Sequence, residues 1–165
     1  MIFTFSETSI TATVKPNFPL LLDIFKLWNA TVPLVQSAEN LQYSMTYQPI
    51  PINMINSGPR AGGNLLGLDT SRGPLVVLTL TVQYTSPSSD ALVLSTTRTL
   101  FANIRTLAAR TNDLIPWIYL NYADKTQDVI PTYGAANVAK LRAASVKYDP
   151  RKFFQKVQPG GYKLW

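Results

Sequence analysis

The sequence predicts an α+β fold, an antiparallel sheet with helices packed on one of its faces. Three observations carry that expectation. Leu75 to Tyr84 is a ten-residue run of β-branched and apolar residues, the clearest strand in the chain. Two long segments repeat apolar residues at 3–4 spacing, as amphipathic helices do. The elements read in the order β-β-α-β-loop-β-α-β-loop-α, with no internal repeat, which suggests an antiparallel sheet with helices on one side. A length of 165 residues suits one domain, and 46% hydrophobic content supports a core of ordinary size.

Taken in order, residues 2–6 and 10–14 read as two short strands around a Glu7-Thr8-Ser9 turn, with Ile10, Ala12 and Val14 on one face. Asn17 is a sound N-cap, and Pro19 suits a first helical turn because its missing N–H has no intrahelical partner there. Phe18, Leu21, Leu22, Phe25, Trp28 and Val32 form the expected buried stripe of this helix, and Pro33 is expected to end it. Leu41 to Tyr47 alternates as a strand leading into a Gln48-Pro49-Ile50-Pro51 corner. Residues 53–73, rich in Gly and Pro, read as a long loop, and such loops tend to carry function. In the strand Leu75 to Tyr84, one face holds Val76, Leu78, Leu80 and Val82. The other, with Leu75, Val77, Thr79, Thr81 and Gln83, is mixed enough to line a ligand cavity. Ser86-Pro87-Ser88-Ser89-Asp90 punctuates. A long helix then buries Val93, Thr97, Leu100, Phe101, Ile104, Leu107 and Ala108, turns Arg98, Arg105 and Arg110 outward, and ends at Asn112. Trp117 to Leu120 reads as a short strand. Gly134 opens a third helix, with Val138, Leu141, Ser145 and Tyr148 on one face, which Asp149-Pro150 stops.

Composition removes several chemistries. There is no Cys and no His, hence no disulfide, no Cys or His metal ligand, no Ser-His or Cys-His nucleophile pair and no imidazole base. The net charge of +6 raises the question of nucleic acid, but the basic residues are spread thinly at Arg98, Arg105, Arg110, Lys140, Arg142 and Lys147, with a modest cluster at Arg151-Lys152. No aromatic-basic stripe accompanies them, so no nucleic-acid partner is expected. Met1 to Phe5 lacks the basic and apolar regions of a signal peptide, and localisation stays unknown. Asp23 and Lys26 interrupt the most apolar stretch, Phe18 to Val35, so no membrane span is expected. Gly58, Gly62 and Gly63 lack the context of a phosphate loop and fit a tight turn. Asp124 and Asp128 read as loop carboxylates with local capping roles.

Five short patterns crowd the last quarter of the chain in one order. They are Tyr119-Leu120-Asn121-Tyr122-Ala123-Asp124, Tyr133-Gly134, Lys147-Tyr148-Asp149-Pro150, Phe153-Phe154-Gln155 and Pro159-Gly160-Gly161-Tyr162-Lys163-Leu164. Together they resemble the C-terminal signature of berberine-bridge-enzyme-like FAD-linked oxidases, especially the fungal branch. Upstream, Tyr47-Gln48-Pro49-Ile50-Pro51, Arg60-Ala61-Gly62-Gly63-Asn64 and Gly67-Leu68 look like the substrate-domain loop of fungal members.

That resemblance implies a C-terminal part of an FAD-linked oxidoreductase. Residues 1–118 would be a partial substrate-binding domain, and 119–165 the segment that completes the flavin domain. Members begin with a flavin-binding domain, carrying the covalent His and often Cys anchors, to which nothing here corresponds. FAD is the implied cofactor, a small molecule the implied substrate, and a flavin-binding domain in cis or in trans the implied partner. Little activity and no tight flavin binding are expected of this chain alone.

The resemblance places Tyr119, Asn121 and Tyr122 at the flavin. A physical argument supports the first two: alternate residues of an extended segment share a side, and an isoalloxazine ring wants amide or hydroxyl partners at its edge and a flat surface against its face. On composition alone, the same residues read as half-buried strand aromatics and a turn-forming Asn. Thr79 falls at the position of the acidic base of plant-type relatives and cannot itself act as a base near neutral pH. Tyr119 or Tyr47 could take that role if neighbours lower its pKa. The rival reading is a non-catalytic α+β domain that binds a ligand or associates with itself.

Overall fold

The computed structural model describes residues 6–60 and 63–165. The elements are β1 Ser6–Val14, α1 Phe18–Val35, β2 Gln42–Ile50, α2 Ile52–Arg60, β3 Leu75–Tyr84, α3 Asp90–Arg110, β4 Leu114–Ile115, α4 Ala135–Tyr148 and α5 Phe153–Lys156. The four strands form one antiparallel sheet in the order β2-β3-β1-β4. This is the α+β arrangement expected, with two helices, α1 and α3, covering one face.

The core follows from the alternation of β1 and β3. Ile10, Ala12 and Val14 stand opposite Leu80, Leu78 and Val76, and this face is sealed by Leu20, Ile24 and Val35 of α1 and Val93, Leu100, Phe101, Ile104 and Ala108 of α3. A second cluster occupies the Leu75 end of the opposite face, where Ile50, Val77 and Ile115 meet Trp117, Ile118, Val129 and Tyr133. The segment after residue 118 therefore packs directly on the sheet.

Several expectations are corrected. Glu7, Thr8 and Ser9 do not turn; they lie within β1, paired with Gln83, Val82 and Thr81, because a full-length β3 offers each a ladder partner. Residues 2–5 of the expected first strand lie outside the described residues. Pro33 does not end α1, which runs to Val35. A proline so near a C-terminus forfeits only one backbone bond in a helix held by its sheet-facing side chains. Pro49 likewise does not break β2, because β2 is an edge strand and the missing N–H need not enter the ladder. The expected loop 53–73 contains α2, in which Ile55 is buried and the backbone N–H groups of Met54 and Ile55 donate to the Pro51 carbonyl. Trp117 to Leu120 is not a strand: β4 stops at Ile115, and Leu120–Tyr122 is a 3-10 turn.

The buried side of α1 also differs from expectation. Leu20, Ile24 and Val35 face the core, whereas Phe18 is 76% and Phe25 47% exposed. This helix carries apolar residues around most of its circumference, so periodicity alone does not choose its inward side. It is long and apolar enough by length and composition to cross a membrane, but three of its residues are in the protein core. In α4, Val138, Leu141 and Ser145 are half-buried and Tyr148 stands 77% exposed.

Candidate functional site

The sheet face opposite α1 and α3 is the candidate site. The register places Thr46, Thr79 and Thr11 in one row across three strands, with Ser44, Thr81 and Ser9 in the next, then Gln42, Gln83 and Glu7. These rows are polar, whereas the opposite face is lined mainly by apolar side chains. One of these hydroxyls, Oγ1 of Thr79, is buried without a partner, as is Oγ1 of Thr13, two along from Thr11 on the same face. An unpartnered buried hydroxyl costs about 1–3 kcal/mol.

At the apolar end of this face lies a cavity of about 180 Å³, bordered by Gln48 and Val77 of the sheet, Met54 and Ile55 of α2, Leu66 and Leu68 of the following loop, and Trp117 and Tyr119. A cavity of about 150 Å³ suffices for benzene, so a single ring fits. Its walls are fixed by specific contacts. The Trp117 indole N–H donates to the Leu66 carbonyl at 2.6 Å, and the Leu66 N–H donates to Asn64 Oδ1 at 2.9 Å. Gly67 holds φ +74°, and a Cβ there would meet the Tyr133 carbonyl oxygen at 2.3 Å, so only glycine lets the loop approach this closely.

Tyr119 is positioned by aromatic packing. Its ring lies 5.7 Å from Trp117 at an interplanar angle of 19°, and Trp117 stacks in turn on Tyr133 at 6.3 Å. Asn121 Nδ2 donates to the Tyr119 hydroxyl at 2.9 Å, so the two side chains do share a side, across a 3-10 turn. The Tyr122 ring meets Tyr119 edge-on at 5.1 Å. Asn121 is exposed, and its Oδ1 keeps free acceptor capacity while the Tyr119 hydroxyl keeps its proton to donate.

The structure brings Tyr119, Asn121 and Tyr122 together, and places Thr79 on the same sheet face, two residues along β3 from the cavity-lining Val77. It does not bring Tyr47 to them. Tyr47 pairs with Leu78 and points to the helix side, where its hydroxyl donates to the Leu21 carbonyl at 3.4 Å. Burial raises its pKa, the reverse of what a tyrosinate base requires.

Two further residues frame the site: Asp124, expected to cap locally and found to do so while also reaching Thr8 and Arg98, and Gln127, which sequence reasoning missed. Asp124 is buried, accepts hydrogen bonds from the Thr126 N–H at 3.0 Å, the Thr126 hydroxyl and the Thr8 hydroxyl at 3.2 Å, and lies 3.8 Å from Arg98. Burial pushes its pKa up, but those hydrogen bonds and the Arg98 charge outweigh it and hold the carboxyl below its ordinary range. Gln127 caps the outer edge of β1 beyond the point where β4 stops, with its carboxamide against the backbone of Thr11. Only the density of polar side chains in 124–128 hinted at Gln127.

With respect to FAD, the exposed Asn121 carboxamide and Tyr119 hydroxyl suit the polar edge of a flavin ring. Among the described residues, no strand-to-helix glycine turn could cradle a pyrophosphate. The residues therefore fit one edge of the group and not the whole dinucleotide.

No family model matches the chain, and no solved structure matches it. Curated fungal proteins do. The chain is 37% identical over 118 residues to the FAD-dependent monooxygenase drtC of Aspergillus calidoustus, covering 72% of this chain and 22% of that protein. It is 33% identical over 117 residues to the FAD-dependent monooxygenase FUP4 of Fusarium proliferatum, covering 71% and 23%. It is 35% identical over 142 residues to the oligopeptidase PhomG' of Diaporthe leptostromiformis, covering 85% of this chain and 12% of that protein. The chain is homologous to a portion of fungal FAD-dependent monooxygenases. It spans about an eighth to about a quarter of the length of the relatives it matches.

Proposed function

We propose that this chain is the substrate-side portion of a fungal FAD-dependent oxidoreductase of the berberine-bridge-like class, acting on a small molecule. The observation that carries the reading is the convergence of Tyr119 and Asn121 beside a ring-sized cavity on the polar face of the sheet. The names of the similar fungal monooxygenases support the cofactor class.

When bound, a flavin held largely by another domain would supply the hydride-accepting chemistry. The Asn121 carboxamide and Tyr119 hydroxyl would hold its polar edge, and Trp117 stacks on the Tyr119 ring and fixes its orientation. The Thr79 and Thr13 hydroxyls are buried within this face and are not among the cavity-lining groups, so neither contacts substrate in this reading, and Thr79 does not act as a base. The C-terminal pattern supports the same arrangement: Tyr148, Phe153 and Phe154 are exposed, and the Asp149 carboxylate fixes α5 by accepting from the N–H groups of Phe153 and Phe154 at 2.7 and 3.0 Å. A second domain would cover those aromatics.

The test is a chimera in which the matching segment of drtC is replaced by this chain. Retained flavin colour and substrate-dependent flavin reduction support the proposal; a folded chimera that holds flavin but is never reduced by substrate opposes it. The isolated chain mixed with FAD is expected to emerge colourless from gel filtration.

A further inference from the structure

The walls of the ring-sized cavity carry their own chemical selectivity. They come from four parts of this chain: β2, α2 with the loop after it, β3, and the Trp117 to Tyr119 stretch. None of the lining side chains is ionised, and the lining is apolar apart from Gln48, Asn64, Tyr119 and the Trp117 indole N–H. Three of those four groups are already engaged. The indole N–H donates to the Leu66 carbonyl, Asn64 Oδ1 accepts from the Leu66 N–H, and the Tyr119 hydroxyl accepts from Asn121.

Gln48 is different. It is half-buried, and its carboxamide makes no hydrogen bond to the described residues. Its backbone is held firmly: Gln48 pairs with Val77 in the ladder, and the Pro49 that follows confines it to the extended region. A carboxamide presents an oxygen that accepts and an NH₂ that donates, so it can bond either a hydroxyl or a carbonyl. Volume and charge limit the rest of the occupant. About 180 Å³ holds one six-membered ring. An ionised substituent would leave water and find no counter-charge in the lining. Trp117, Tyr119 and the Met54 thioether supply the contacts that an aromatic ring favours.

We propose that the cavity takes a neutral aromatic ring bearing a hydroxyl or carbonyl group, and that Gln48 selects this ring by bonding that group through its carboxamide. The inference rests on the reading of this face as the substrate side of a flavin enzyme, and it names the class of substrate. A phenol or an aryl ketone fits; an aryl carboxylate, an ammonium or a plain hydrocarbon does not.

The experiment is a titration of the purified chain with phenol, acetophenone, benzene and benzoate at neutral pH, read by NMR at the Trp117 indole N–H. Phenol and acetophenone are expected to bind about threefold or more tightly than benzene, the worth of one hydrogen bond, and benzoate not to bind. Gln48→Glu is nearly isosteric; it keeps an acceptor for the phenol proton and removes the donor. It should therefore retain the preference for phenol and lose that for acetophenone. Gln48→Leu should bring phenol and acetophenone to the affinity of benzene, whose own binding reports that the cavity is intact. Preferences unchanged in both variants overturn the proposal, as does benzene bound as tightly as phenol by the unaltered chain, or no binding of any ring. Phenol selected through Gln48, together with a drtC chimera that substrate never reduces, would count against the flavin reading alone.

Discussion

The Gln127 carboxamide stands against Thr11 as a neighbouring strand would: its Nε2 donates to the Thr11 carbonyl at 2.8 Å, and the Thr11 N–H donates to its Oε1 at 3.0 Å. One side chain thus takes the place of a strand rung where β4 has ended, and couples the segment that carries Tyr119 and Asn121 to the sheet. The same Oε1 accepts from the Asp124 N–H at 3.0 Å, so Gln127 also shapes the turn itself.

Gln127→Ala should cost about 1–3 kcal/mol, because it leaves both edge groups of Thr11 unpaired in a buried setting. Gln127→Glu should be destabilising as well, since a carboxylate oxygen would then face the Thr11 carbonyl. Urea denaturation of the two variants checks both expectations.

Asp124 should impose an acid limb on stability. Its folded-state pKa lies below the ordinary carboxyl value, so the unfolded chain binds the proton more readily. Its contribution is complete above the ordinary carboxyl range and is lost as pH falls from that range through the lower folded-state pKa. Asp124→Asn should flatten that part of a Tm-versus-pH curve between neutral pH and about pH 3, and lower Tm at neutral pH.

Tyr84 works in the opposite direction at high pH. Burial, reinforced by the 2.6 Å hydrogen bond to Asp90, lifts its pKa to about 12. The folded state keeps a proton that the unfolded chain loses near pH 10, so stability should decline as pH rises from about 10 towards that value. Burial also raises Tyr43, Tyr47, Tyr133 and Tyr162, and ultraviolet titration should show all five phenols ionising late.

Gly67→Ala should destabilise by about 2 kcal/mol or more, from the left-handed backbone and the collision with Tyr133 together. The loop it displaces carries the Leu66 carbonyl bonded to Trp117, so a shift in tryptophan fluorescence should accompany the loss.

Legibility in the sequence followed how local the determinants were. The strand Leu75–Tyr84 was readable end to end, and α3 nearly so, because their periodicity is long and their punctuation clear. α2 was hidden by Gly58 and Pro59, and Pro33 and Pro49 looked like stops because their tolerance depends on tertiary position. The inward side of α1 is decided by the neighbours it meets. In the candidate site, the Tyr119–Asn121 pair was visible as a motif, whereas Asp124 and Gln127 act on β1 across more than a hundred residues of chain. No local pattern announces such contacts.

The claim on which the account rests is that Asn121 and Tyr119 touch the edge of a flavin. Its most direct test is the visible absorbance spectrum of the drtC chimera carrying Asn121→Ala or Tyr119→Phe. The account predicts that each substitution shifts the flavin bands and slows flavin reduction by substrate, with the fold intact by circular dichroism. Identical spectra and reduction rates in all three chimeras would contradict it.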